Sequence, residues 1–183
     1  SSFHGVTTSS IDTGARTISL PSSSIIGLCD TFNPGVLGGG TAKAGELKLI
    51  TTEREAIAAF GADSAITKAC KAIYTKAKAV IVAIGVPKLE DAALQTSAII
   101  GGVLASGQRT GLQALLDGKS LYNTQPRLLI APGHTATQAV ATALDGLAQK
   151  LRAVGILDGP GTTDEAAMLY ADNFGSRNLF MVD

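Results

Sequence analysis

The chain has 183 residues, with 15 Lys and Arg balanced by 15 Asp and Glu; its formal charge is zero and only 16% of it is charged. A nucleic-acid-binding domain usually carries a basic excess, and this composition argues against one. Hydrophobic residues make up 45% and aromatics 4%, with no Trp, which predicts an aliphatic core in a chain long enough to bury roughly 70% of its unfolded surface.

No apolar run reaches the length needed to cross a bilayer. The start, Ser1 to Gly5, has neither the basic nor the apolar region of a secretory signal, so synthesis in the cytosol is expected. A near-neutral surface favours association over colloidal repulsion. Cys29 and Cys70 share no CxxC or Cys/His spacing, which argues against structural zinc. Two buried reduced thiols are expected, with a disulfide as the alternative.

Residues 1–22 are rich in Ser, Thr and Gly, and their bulky apolar residues are Val6, Ile11, Ile18 and Leu20. Thr and β-branched residues favour extended backbone, and Asp12-Thr13-Gly14 is a turn signal between two extended pieces. This segment has too little apolar surface to pack alone and is read as an arm. From Ser23 a packed pattern begins. Ile25 to Cys29 predicts a buried strand, Asn33 to Gly45 a loop, and Leu47 to Ile50 a second strand. Thr52 and Glu55 form a capping box, opening a helix with Ala56, Ile57 and Phe60 inward that ends at Gly61.

Asp63 is placed to cap the next helix, whose apolar face reads Ile66, Ala69, Cys70, Ile73 and Ala77. Ala79 to Ile84 is a continuous apolar run of strand length, typical of a central strand covered on both faces. A helix over 89–100 and a short helical piece over 111–116 follow. Arg127 to Ile130 predicts a strand closed by Pro132-Gly133. Thr135 and Gln138 read as a second capping box, opening a helix whose face is Ala136, Val140, Ala143, Leu144, Leu147, Leu151 and Val154. Ile156-Leu157 begins a strand. Thr162 and Glu165 read as a third box, before a helix with Ala166, Leu169 and Tyr170 inward. Leu179 to Val182 reads as a final strand; the chain stops within it, which suggests a piece of a longer protein. This alternation predicts an α/β fold, a mixed and largely parallel sheet flanked by helices. The expected organisation is an arm over 1–22 and one α/β domain over 23–183.

Chemical signals are sparse. Gly118-Lys119-Ser120 copies the end of a phosphate-binding loop, but Gln113 stands where that pattern needs Gly. Gly38 to Gly45 meets a dinucleotide spacing only loosely, because Lys43 takes the place of the last Gly. Lys68, Lys71, Lys76 and Lys78 read as the solvated side of a helix. Asp63, Asp91 and Asp164 fall at helix starts, where capping accounts for them. His4 has no partner at recognisable spacing. The strongest candidate is the loop Pro132 to Thr137. It follows a strand and opens a helix, where α/β sheets bind ligands and helix N–H groups attract anions. His134 could act there as acid, base or phosphate ligand, with polar groups converging from 84–88; no nucleophile stands nearby.

Four stretches, taken together and in order, resemble the tail sheath protein of temperate contractile-tailed phages and related tailocins. They are HGVTTSSIDTGARTISLPSSSIIGL at 4–28, RLLIAPG at 127–133, AQKLRAVGILDGP at 148–160 and FGSRNLFMVD at 174–183. The resemblance implies a structural subunit and not an enzyme, with no cofactor or metal. Its implied partners are other sheath subunits in helical rings, the tail tube, and baseplate and terminator proteins, with no nucleic acid or membrane. Its implied location is the virion tail, after assembly in the host cytoplasm. Arms of this family complete sheets in neighbouring subunits, so Gly5, Val6, Ile11, Arg16 and Ile18 are the expected inter-subunit residues. Family members continue past the position of Asp183, so this chain alone is expected to be monomeric. The other reading is a small-molecule-binding α/β enzyme with its site at 132–137.

Overall fold

The computed structural model describes residues 25–35 and 38–182; the predicted arm lies outside them. Six strands form one sheet in the order β2-β3-β1-β4-β5-β6. They are β1 (Ile25–Phe32), β2 (Leu47–Ile50), β3 (Val80–Pro87), β4 (Leu128–Ile130), β5 (Val154–Asp158) and β6 (Leu179–Val182). β2 runs antiparallel to β3, and every other pairing is parallel. The expected mixed, largely parallel α/β sheet is what forms.

The helices are α1 (Glu53–Phe60), α2 (Ala65–Lys76), α3 (Ala92–Ile100), α4 (Gly118–Tyr122), α5 (Gln138–Leu151) and α6 (Asp164–Ala171). A 3-10 helix spans Gly111–Asp117 in place of the expected α-helical piece, and α4 continues directly from it. β1 and β3 each run three residues past their predicted ends, and α3 starts three residues later than predicted, capped by Asp91, which accepts from the N–H groups of Ala93 and Leu94.

Several sequence-based assignments shift. Ser64, not Asp63, caps α2, accepting from the Thr67 N–H. Ala77 is the exposed C-cap of that helix and not part of its apolar face. Ile57 is 38% exposed, while Ala56 and Phe60 on the same helix are fully buried. The predicted α5 face overran both helix ends: Ala136 precedes the helix, and Val154 belongs to β5. The Thr52 hydroxyl caps α1 as expected, but the Glu55 carboxylate reaches one residue further back, to the N–H and hydroxyl of Thr51 at 2.7 and 2.9 Å.

Two cores sandwich the sheet. One gathers Cys29, Val82, Ile84, Leu129 and Leu157 of the sheet with side chains of α3, the 3-10 helix and α5, and Tyr170 of α6 packs at its margin. The other gathers Leu28, Ile81 and Ala83 with Ala56, Phe60, Ile66 and Cys70 of α1 and α2. Phe32 and Phe60 meet edge-on there, with ring centroids 5.4 Å apart. Crossovers between parallel strands keep one hand. Strands β4, β5 and β6 add successively to one side of β1, so their connecting helices share one face. Helices α1 and α2 lead to β3, on the other side of β1, and cover the opposite face there.

Candidate functional site

The C-terminal ends of β1, β4 and β5 form the head of the sheet, where open α/β folds place ligands. The loop Pro132–Thr137 lies there, but its polar atoms bind one another. The Asp158 carboxylate accepts from the Gly133 N–H at 2.7 Å and from the Thr135 hydroxyl at 3.0 Å. The Asp158 N–H donates back to the Thr135 hydroxyl oxygen at 2.7 Å. The Tyr170 hydroxyl donates to the Thr135 carbonyl; burial, and then the Asp158 charge, pushes that hydroxyl above its usual pKa. Thr135 is fully buried.

His134 Nε2 lies 3.3 Å from Asp30 Oδ1, an oxygen that also accepts from the Thr31 N–H at 2.6 Å. Asp30 is only 4% exposed, so the imidazole closes over a buried carboxylate. The Thr135–Gln138 capping box does not form. Thr137 occupies the N-cap position without a side-chain cap bond, because the neighbouring strand has captured the Thr135 hydroxyl. Nor does the stretch 84–88 send polar side chains into the loop: Ile84 and Val86 are buried, Lys88 is exposed, and the Lys88 N–H donates to the Phe32 carbonyl at 3.0 Å. This arrangement locks β4, β5 and α6 together and leaves no convergent set of free donors in the loop among the described residues.

The other candidates resolve into structure. A Cβ on Gly40 would sit 2.2 Å from the Ala59 carbonyl oxygen, and one on Gly61 would sit 2.2 Å from the Gly38 carbonyl oxygen, both at positive φ. The glycine-rich loop therefore exists to let its backbone press against the end of α1. Gly118 is helical, and the Ser120 hydroxyl donates to the Asp117 carbonyl at 2.9 Å, a helix start and not a phosphate cradle. Lys68, Lys71 and Lys76 are exposed on α2, and Lys71 lies 3.6 Å from Glu53. Cys29 and Cys70 are free and sit in opposite cores. Burial pushes the Cys70 thiol up to about 12 and Cys29 higher, which leaves both unreactive. Gly5, Val6, Ile11, Arg16 and Ile18 lie outside the described residues.

What the sequence reading missed is on the surface. Residues paired across parallel strands share a face. One row runs Ala83, Leu28, Ile130, Ile156, Phe180 across β3, β1, β4, β5 and β6. Its first two members are fully buried, and Phe180 is 63% exposed. Beside it Val182 and Val154 are 53% and 41% exposed. Among the described residues, Val154, Ile156, Phe180 and Val182 join neither core. At the N-terminal ends of β5 and β6, a cavity of about 800 Å³ is lined by residues that include Gln149 and Arg152 from the end of α5, Val154, and Ser176 and Arg177 from the segment after α6. On the opposite face of β5 and β6, α6 turns Met168 and Leu169 outward, each 69% exposed. Leu169 was expected inward. The cap is Thr163 and not Thr162, and Ala167 is buried in place of Leu169.

Comparison with known proteins settles the family. Residues 23–86 match the family model described as the tail sheath protein Gp18 domain III N-terminal region. Over 181 residues, 99% of this chain, the sequence is 64% identical to a putative prophage major tail sheath protein of Pseudomonas aeruginosa strain UCBPP-PA14. It is 33% identical over 189 aligned positions, 98% of this chain, to the tail sheath protein of Escherichia phage P2. A 139-residue match at 32% identity covers 73% of this chain and 35% of the major tail sheath protein of Serratia phage KSP20. The chain spans 46% of the length of each of the first two relatives. With near-complete coverage of this chain by both of them, it belongs to the tail sheath protein family.

Proposed function

We propose that this chain is part of a structural subunit of a contractile phage-type tail, in the sheath that surrounds the tail tube and contracts to drive it through the host envelope. The observation that carries the reading is the 64% identity to a prophage major tail sheath protein across 99% of the chain. The mutual engagement of Asp158, Thr135, Gly133 and Tyr170 supports a non-enzymatic role, because the loop best placed for chemistry is spent on holding the fold. The subunit works as an arm, residues 1–22, attached to the α/β body. The arm reaches a neighbouring subunit through Gly5, Val6, Ile11, Arg16 and Ile18 and adds a strand to its sheet. The rigid bodies slide and rotate while the arms keep them linked. The partners are other sheath subunits, the tube, and the baseplate and terminator proteins; the location is the virion tail, after assembly in the host cytoplasm. At micromolar concentration this chain alone runs as a monomer.

The test is negative-stain electron microscopy of the complete gene product expressed alone, beside the 183-residue chain. Hollow helical tubes from the complete product, with none from this chain, are expected. A complete product that stays monomeric at high concentration overturns the reading.

A further inference from the structure

We propose that β1 is the anchor through which this fold takes tension applied to the chain before Ile25, with Phe32, seated over Gly85, as its stop. The proposal rests on the sheath reading only for the source of the tension; the anchor itself follows from the topology and packing of β1.

Chain order and spatial order disagree at β1. Among the described residues it is the first strand in sequence, yet it lies inside the sheet, between β3 and β4. The chain before Ile25 therefore enters the body at an inner strand and not at a sheet edge. Both neighbours run parallel to β1, which pairs with β3 from Ile25 to Phe32 and with β4 from Ile26 to Leu28. From Gly27 to Phe32 the strand is buried throughout. Cys29 belongs to one core, and Leu28 and Phe32 belong to the other.

Each end of β1 carries a bond beyond the strand pairs. The Lys88 N–H donates to the Phe32 carbonyl at 3.0 Å, and the Arg127 N–H donates to the Ile25 carbonyl at 2.9 Å. The Arg127 guanidinium donates in turn to the carbonyls of Leu151 and Arg152, at 3.2 and 3.1 Å. The Arg127 carbonyl accepts from the Val154 N–H at 2.8 Å. One residue thus ties the start of β1 to the end of α5 and the start of β5.

Tension on the preceding chain acts along β1, toward its N-terminal end. The hydrogen bonds of a parallel pair are evenly spaced. A pull along the strand loads them together, whereas a pull at the open end of a ladder breaks them one after another. Side-chain packing adds a second resistance. A slip of one residue would turn every side chain to the opposite face, so two residues is the smallest slip that keeps the cores. A Cβ on Gly85 would sit 2.6 Å from Phe32 Cδ1 and 2.8 Å from Phe60 Cε1. The Phe32 ring therefore occupies the notch that this glycine leaves in β3. Ala83 is the next residue on that face toward the start of β3, and it is fully buried. A two-residue slip would carry the ring from the notch onto the Ala83 side chain.

The experiment is single-molecule force spectroscopy on the 183-residue chain in two pulling geometries. Handles on Ser2→Cys and Lys88→Cys draw β1 against the far end of β3. Handles on Thr51→Cys and Lys78→Cys draw apart the adjacent ends of β2 and β3, antiparallel strands that then open pair by pair. Thr51, Lys78 and Lys88 are exposed, and Cys29 and Cys70 are buried and stay silent. At equal pulling speed the 2–88 geometry should unfold at about three times the force of the 51–78 geometry, because forced unfolding follows the barrier along the pull. Phe32→Leu should lower the 2–88 force by about half, whereas Ile99→Val, in the opposite core, should lower it by less than about a fifth. Urea unfolding of both variants gives the equilibrium cost against which these falls are compared. Equal forces in the two geometries overturn the proposal. A fall for Phe32→Leu no larger than its urea cost predicts removes Phe32 as the stop. If Phe32→Leu does not fold, the two geometries still decide whether β1 is the anchor. Tubes from the complete product with equal forces would sink the anchor alone. A threefold difference without tubes would sink the sheath reading and leave the anchor.

Discussion

Thr135 shows how one hydroxyl can outrank a local sequence rule. It stands three residues before Gln138, the spacing of a capping box, yet it is fully buried and exchanges two hydrogen bonds with Asp158 on β5. A cap bond on an exposed helix start contributes about 1 kcal/mol. Leaving the part-buried Asp158 N–H without a partner costs about 1–3 kcal/mol, so the cross-strand pairing prevails. Thr135→Val keeps the shape and removes the hydroxyl. Urea unfolding should show a loss of about 2–3 kcal/mol. A loss under about 0.5 kcal/mol would mean that the Asp158 contact does not hold β4 and β5 together. Nothing in the local sequence points to Asp158 as the partner, because the two residues meet only through the β4–β5 pairing.

At the level of elements, the strands were the most legible part. The apolar runs at 25–29 and 47–50 lie within strands of the sheet, as does 79–84 except for its first residue, because burial on both faces demands continuous Val, Ile, Leu and Ala. Helix starts were less legible where two Thr residues compete. Thr162 and Thr163 are adjacent, and either could cap. Thr163 takes the role, accepting from the Ala166 N–H at 3.2 Å, and this places both Asp164 and Glu165 in the first turn, where the helix dipole favours acids. The face that α6 buries is set by Ala167, Tyr170 and the following Phe174 packing on the sheet, which leaves Leu169 in solvent. Thr163→Ala should lower stability by about 1 kcal/mol, and Thr162→Ala by less than about 0.5 kcal/mol, in thermal or urea unfolding. The reverse order would mean that Thr162 caps the helix.

Across the described residues the sheet is asymmetric, because β1 and β3 carry helices on both faces and β5 and β6 carry them on one. Alternation in the sequence points to an α/β sheet, but the side of β1 that each later strand joins is set by long-range pairing and is not written locally. β1 and β3 pair along eight residues, with helices on both faces. β6 pairs along four residues with β5 alone, and its outer face is exposed at Phe180 and Val182. Local opening free energy tracks buried apolar contact and shared hydrogen bonds, so stability should decline from β3 toward β6. Amide hydrogen exchange on the 183-residue chain tests this directly. The buried amides of β1 and β3 should exchange only through global unfolding, while those of β6 should exchange at least about a hundredfold faster, a difference of about 2.7 kcal/mol or more in opening free energy. Equal protection of β3 and β6 would mean that β6 is held as firmly as the centre of the sheet.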